Sequence, residues 1–162
     1  MTKVKDIVRG KLDGNQFREV DIYGEFIIKS DSGKQSTTHG GVYGFFVRLD
    51  ANELQALRDE ASEKGTWVIK ETRPLKPMYE NVYPLYWGKD KSVGARFNAH
   101  LKNPDGRNEG KAGTGLARLC AYKSLKDKTL AVFAICVTNY SEFESHLRSL
   151  FPDLLKTKNS KI

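Results

Sequence analysis

The residues best suited to chemistry lie together in Ser92-Val93-Gly94-Ala95-Arg96-Phe97-Asn98-Ala99-His100-Leu101. Ser92 is a good helix N-cap, and Val93, Phe97 and Leu101 recur every four residues as an apolar stripe. At about 100° per residue, Arg96 and His100 fall one turn apart along one edge of that stripe. Arginine is a permanent fork of donors and histidine a base that titrates near neutral pH, so the pair suits work on a phosphate where a core meets a cleft. A solvated flanking arginine and a histidine that only packs are the alternative for the same two positions.

Other elements must hold such a helix in place. Immediately before it, Pro84-Leu85-Tyr86-Trp87 reads as a buried strand and Gly88-Lys89-Asp90 as a tight turn. Residues 42–49, rich in aromatic and β-branched types, predict a central strand, and Gly40-Gly41 before it lets backbone approach closely. The near-continuous apolar run 130–137 predicts a strand buried on both faces. Shorter strand pieces are expected at 20–23 and 25–28, split by Gly24, with a further candidate at 66–70.

Helical spacing places Val4, Ile7 and Val8 on one side of a helix over 3–9, and Leu54, Leu57 and Ala61 on one face over 51–64, with Gly65 as C-terminal cap. A helix is expected over 116–126. A last one, over 142–151, is capped by Ser141, with Phe143, Leu147, Leu150 and Phe151 inward. Ser141-x-x-Glu144 has capping-box form, and Pro152 ends the helix before a basic tail over 153–162. Residues 102–115 carry Gly106, Gly110, Gly113 and Gly115 among basic residues and show no periodicity, as in a DNA clamp or a plain surface excursion.

The 162 residues suit one domain with a sizeable core, without an internal repeat. No apolar run approaches the roughly 20 residues that span a bilayer, and the first residues lack the apolar stretch of a secretory signal. Cys120 and Cys136 sit in apolar surroundings without metal-ligand spacing, which predicts buried, reduced thiols in a cytoplasmic protein. Gly33-Lys34-Gln35-Ser36 lacks the upstream glycine of a phosphate-binding loop, since Ile28 stands there. The net charge is +7, and its placement is informative. From Lys89 to Lys126, Lys89, Lys91, Arg96, Lys102, Arg107, Lys111, Arg118, Lys123 and Lys126 face only Asp90, Asp105 and Glu109. That local surplus fits a surface turned toward a polyanion, with a merely solvated surface as the alternative.

Taken in order, Gly41-Val42-Tyr43, Tyr86-Trp87-Gly88-Lys89, Arg96-x-x-x-His100 and a late helical Glu144 resemble the GIY-YIG nuclease superfamily. The similarity covers residues 40–155, and the Arg-x-x-x-His spacing looks most like the type II restriction endonuclease branch. The resemblance implies an α+β fold, with a small mixed, largely antiparallel central sheet flanked by helices. It divides the chain into an N-terminal extension, 1–39, and a nuclease domain, 40–162, with an insertion at about 51–82.

The implied activity is metal-dependent hydrolysis of DNA phosphodiesters. Tyr43 would orient or deprotonate the attacking water with His100 as its base, and Tyr86 would bind or support the scissile phosphate. Arg96 would stabilise transition-state charge, and Glu144 would hold Mg²⁺ or another divalent cation such as Mn²⁺. Lys89, Lys91, Lys102, Arg107 and Lys111 would contact DNA. Glu142 competes for the metal role, but Glu144 stands eight residues before Pro152, close to the superfamily's spacing, and Glu142 should point into solvent.

The chain departs from the superfamily in the long insertion between the triplets, in Trp87 where a smaller aliphatic residue is usual, and in Lys156 where an asparagine is expected. The expected partner is double-stranded DNA, and cutting both strands calls for a homodimer. The other classes left open are a repair-type structure-selective nickase, a DNA-binding protein of the same fold without chemistry, and a protein directed at RNA.

Overall fold

A computed structural model of the chain describes residues 2–11, 17–19, 24–27, 41–63, 76–91, 119, 122–137 and 139–155. In chain order these form α1 (Thr2–Arg9), β1 (Phe17–Glu19), β2 (Gly24–Ile27), β3 (Gly41–Arg48), α2 (Ala51–Glu63), β4 (Val82–Asp90), a 3-10 turn (Lys123–Leu125), β5 (Thr129–Val137) and α3 (Tyr140–Leu150). The strands make one sheet in the order β1-β5-β3-β4, with β2 also paired to β5. Every pairing is antiparallel. This is an α+β fold, and the strand of residues 42–49 is central to it. The segment 17–27 supplies two strands to the same sheet. The strand expected at 20–23 lies outside the described residues, as does the candidate at 66–70; β1 forms at Phe17–Glu19.

Strand alternation sorts the apolar residues into two cores, one on each face of the sheet. Tyr43, Phe45, Val47, Leu130, Val132 and Ala134 meet Leu57 and Ala61 of α2 and Leu125 of the 3-10 turn. Val42, Phe46, Trp87, Ala131, Phe133 and Ile135 meet Val4 and Val8 of α1 and Phe143 and Leu147 of α3. With both faces covered, β5 has no solvent side. That explains its unbroken apolar run in an antiparallel setting, where one wet face is common.

β4 carries a bulge. Phe45 pairs with Tyr86 but Phe46 with Pro84, so Leu85 is the extra residue, and Leu85 and Tyr86 enter the same core. Pro84, which has no N–H to give a ladder, sits at this irregularity.

Local contacts fix the helix ends. At the start of α2, Asp50 Oδ1 accepts the Glu53 N–H (2.8 Å) and Glu53 Oε2 accepts the Asp50 N–H (2.9 Å), a reciprocal capping box. The Glu60 carboxylate accepts the N–H groups of Lys123 (2.7 Å) and Ser124 (2.9 Å), tying the 3-10 turn to α2. Glu80, in the left-handed region with φ 43°, completes the turn before β4 and is bonded by Arg48.

Five local expectations are corrected. Gly88-Lys89-Asp90 is strand rather than turn, because β3 begins at Gly41 and its ladder runs on to Asp90. The described end of the segment 116–126 is a 3-10 turn, held in that form by the Glu60 cap. Ser141 lies inside α3; the N-cap is Asn139, without a side-chain cap bond, and the Glu144 carboxylate is drawn to Arg148 instead. Leu150, expected inward, is 43% exposed, whereas Phe151, also expected inward, packs on the core. Residues 153–155 are no tail: all three are buried, and the Leu154 and Leu155 N–H groups donate to the Pro84 and Leu85 carbonyls at 3.0 and 2.8 Å. No helix among the described residues is long and apolar enough to cross a membrane.

Candidate functional site

The two aromatic triplets, far apart in sequence, become neighbours in the sheet. β3 and β4 align so that Tyr43 stands opposite Gly88 and Phe45 opposite Tyr86. The Tyr43 and Tyr86 rings lie 6.3 Å apart at 39°, and Phe45 meets Tyr43 edge-on at 5.9 Å. Glycine at 88 is a requirement of this arrangement. A β-carbon there would fall 2.3 Å from Tyr43 Cζ and 2.4 Å from its hydroxyl oxygen. The Tyr43 ring therefore lies over bare backbone, and the residue is 1% exposed.

Glu144 occupies the other side of β4. Its helix packs on the core that holds Trp87 and Val42, whereas the tyrosines belong to the opposite core. Lys89 pairs with Val42 across the ladder and so shares that face. Glu144 is 4% exposed. Its Oε1 lies 2.7 Å from Arg148 Nη1 and its Oε2 3.8 Å from Lys89 Nζ.

Arg148 is itself anchored. Its Nη2 donates to the Trp87 carbonyl (2.5 Å), and its Nε lies 3.3 Å from Asp153 Oδ2. That last contact is ion pairing alone, since the Nε–H makes no hydrogen bond. Asp153 Oδ2 accepts the Trp87 N–H (3.1 Å), and the Trp87 indole donates to the Phe151 carbonyl (2.8 Å). Two buried carboxylates thus share one guanidinium against the edge of β4, the form in which buried charge is tolerated.

The structure brings Tyr43 to Tyr86 and Lys89 to Glu144, with the two pairs on opposite faces of β4. Glu142 is exposed, and Lys91 is exposed just past the end of β4. Arg96, His100, Lys102, Arg107, Lys111 and Lys156 lie outside the described residues. Arg148 and Asp153 are the site residues missed from sequence. Glu144 and Arg148 did carry a signal, an acid four residues before a base on one helix; Asp153, held by tertiary contacts alone, carried none.

The donor set can be tested against a divalent cation. No group of three His, Cys, Asp or Glu that could hold a metal comes together among the described residues. Magnesium is commonly held by one or two carboxylates, with water and substrate oxygens completing its shell. Ligating carboxylates are ordinarily hydrogen-bonded from behind, as Arg148 binds Oε1. A cation at Glu144 would have to compete with Arg148 and Lys89, which face its two oxygens. No protein-family model, no curated protein and no solved structure matches this chain.

Proposed function

We propose that this chain is a GIY-YIG-like DNA endonuclease that hydrolyses phosphodiester bonds, in the manner of a site-specific type II restriction enzyme. The observation that carries the reading is the register of β3 on β4, which sets Tyr43 across Gly88 and beside Tyr86. Two triplets that resemble one superfamily's motifs are thereby joined in one sheet, with a basic stretch following directly in the chain.

In this reading Tyr43 and Tyr86 orient the attacking water and the scissile phosphate, His100 takes the proton, and Arg96 binds the phosphate oxygens on which charge grows. Glu144 would hold the Mg²⁺ or Mn²⁺, which when bound supplies charge neutralisation at the phosphate and leaving group. Lys89, Lys91, Lys102, Arg107 and Lys111 would bind the DNA backbone, an interaction that weakens with salt. Double-strand cleavage would require a homodimer.

A second reading, a DNA-binding protein of the same fold without chemistry, is favoured by a specific observation. Tyr43 is buried, and Glu144 is ion-paired on the opposite face of β4. Supercoiled plasmid incubated with the protein in Mg²⁺ and in EDTA, beside Glu144→Ala, separates the two. Discrete linear fragments that need Mg²⁺ and vanish in the variant are expected of the nuclease, and nicked circles alone would indicate a nickase. Plasmid that stays intact with Mg²⁺ and Mn²⁺ yet shifts on a gel would sink the nuclease reading in favour of the binder.

A further inference from the structure

We infer that α1 is a contact surface for the phosphate backbone of duplex DNA, with Lys3, Arg9 and Lys11 as its cations; this rests on the DNA reading above and not on the chemistry assigned to it. Val4 and Val8, 2% and 0% exposed, lie in the core of Trp87 and Phe143, so the helix is fixed to the sheet by its apolar stripe. The cations lie off that stripe. Lys3 and Lys11 are exposed and Arg9 is partly so. The one acid of residues 2–11 is Asp6, 3.8 Å from Arg9. The helix stays wound as far as Lys11, whose N–H donates to the Val8 carbonyl at 3.0 Å. At the other end, Lys3 Nζ stands 5.4 Å from the centre of the Tyr79 ring.

The charge at the start of α1 does not serve the helix. A helix N-terminus favours acids, yet Lys3 stands there and no acid occupies the first turn. The sheet also divides charge between its faces. On the opposite face, α2 carries Glu53, Asp59, Glu60 and Glu63 against Arg58 alone. The α1 face adds the exposed Lys89. On α3, which shares that face, Glu142 is exposed and Glu144 is held by Arg148. A polyanion is therefore drawn to α1 and repelled from α2. A basic amphipathic helix can also lie on an anionic membrane, but it does so by burying its apolar side in lipid. In α1 Val4 and Val8 are already buried in the protein, so what the helix offers is charge. DNA phosphates ask for no more than that.

The test is binding of the purified full chain to a short fluorescent duplex in EDTA, read by anisotropy over a series of salt concentrations, with a melting temperature for each variant. The parent is expected to bind, with affinity falling as salt rises. Lys3→Gln combined with Lys11→Gln should bind more weakly and flatten the slope of log affinity on log salt by roughly 2, at about 0.9 for each phosphate contact removed. Arg58→Gln, which takes a charge from α2, should keep the parent's slope. A parent-like slope and affinity in the double variant would overturn the inference. An equal loss per charge in Arg58→Gln would overturn it too, since net charge alone would then be at work. Should the double variant melt early, because Lys3 rests on Tyr79, Lys11→Gln alone decides by a change of roughly 1 in the slope. In each of these cases the parent still binds DNA and the reading above survives. A parent that leaves the duplex free removes that reading and the inference together, and one that sediments with phosphatidylserine vesicles instead assigns the cations of α1 to a membrane.

Discussion

At the scale of single residues, the candidate site depends on an absent side chain as much as on those present. Gly88 is where the Tyr43 ring crosses β4, and a methyl group there would overlap the phenol at Cζ and at the hydroxyl. Tyr43 is sealed in the core between Phe45 and Tyr86, so it cannot swing aside without displacing them. Gly88→Ala should therefore cost about 1–3 kcal/mol, the usual range for overpacking a filled core. Urea unfolding would show it as a lower midpoint at unchanged slope. A variant as stable as the parent would mean that the ring has room and that the glycine serves something other than this contact. The triplet Tyr86-Trp87-Gly88 was legible as a motif, but the reason for its glycine was not. That reason is a residue more than forty positions upstream, brought opposite by the ladder.

At the scale of elements, legibility followed the reach of the forces involved. The runs that became β3 and β5 and the face of α2 were readable because alternation and helical spacing are local consequences of burial. Helix starts were less so. Ser141-x-x-Glu144 and Asp50-x-x-Glu53 both present an N-cap type followed three residues on by an acid, yet only the second closes into a capping box. Arg148, one turn beyond Glu144 and anchored on β4, drew the first acid away.

The box at Asp50 is testable. Asp50→Ala should cost about 1 kcal/mol in thermal unfolding, as for other lost caps. Glu53 is also held by Lys128, whose hydrogen bond, with that of the Asp50 N–H, keeps its carboxyl below the ordinary value of 4.5. A depressed folded value means that this stabilisation is fully present above pH 4.5 and is lost as pH falls through the lower folded value. Glu53→Gln should thus show a shallower loss of melting temperature on acidification below 4.5 than the parent, with the difference shrinking in high salt. Parallel acid limbs in the two proteins would show that the Lys128 pair contributes nothing.

At the scale of the whole molecule, the sheet has an edge to protect. Among the described strands β4 ends the order β1-β5-β3-β4, and those of its donors and acceptors that point away from β3 would otherwise be a template for another chain. The segment after α3 covers it: Leu154 and Leu155 donate to the Pro84 and Leu85 carbonyls, Asp153 accepts from Trp87, and Arg148 closes the Trp87 carbonyl. Composition pointed the other way, because a short run after a helix-ending proline, followed by lysines, reads as a solvated tail. Its apolar pair and its acid acquire meaning only beside β4.

Ending the chain at Pro152 removes two buried leucines, each contributing about 1.5–3 kcal/mol of burial, and leaves Arg148 facing one carboxylate instead of two. Net stabilities of domains are about 5–15 kcal/mol, so that deletion should leave the protein largely unfolded or associating through the bared strand. Leu150→Ser, at an exposed position two residues earlier, should change little. Size-exclusion chromatography and thermal unfolding of the two side by side decide the matter. A truncated chain that remains monomeric with the parent's melting temperature would show that 153–155 only rests on the sheet, and would remove the support on which the placing of Arg148 and Glu144 depends.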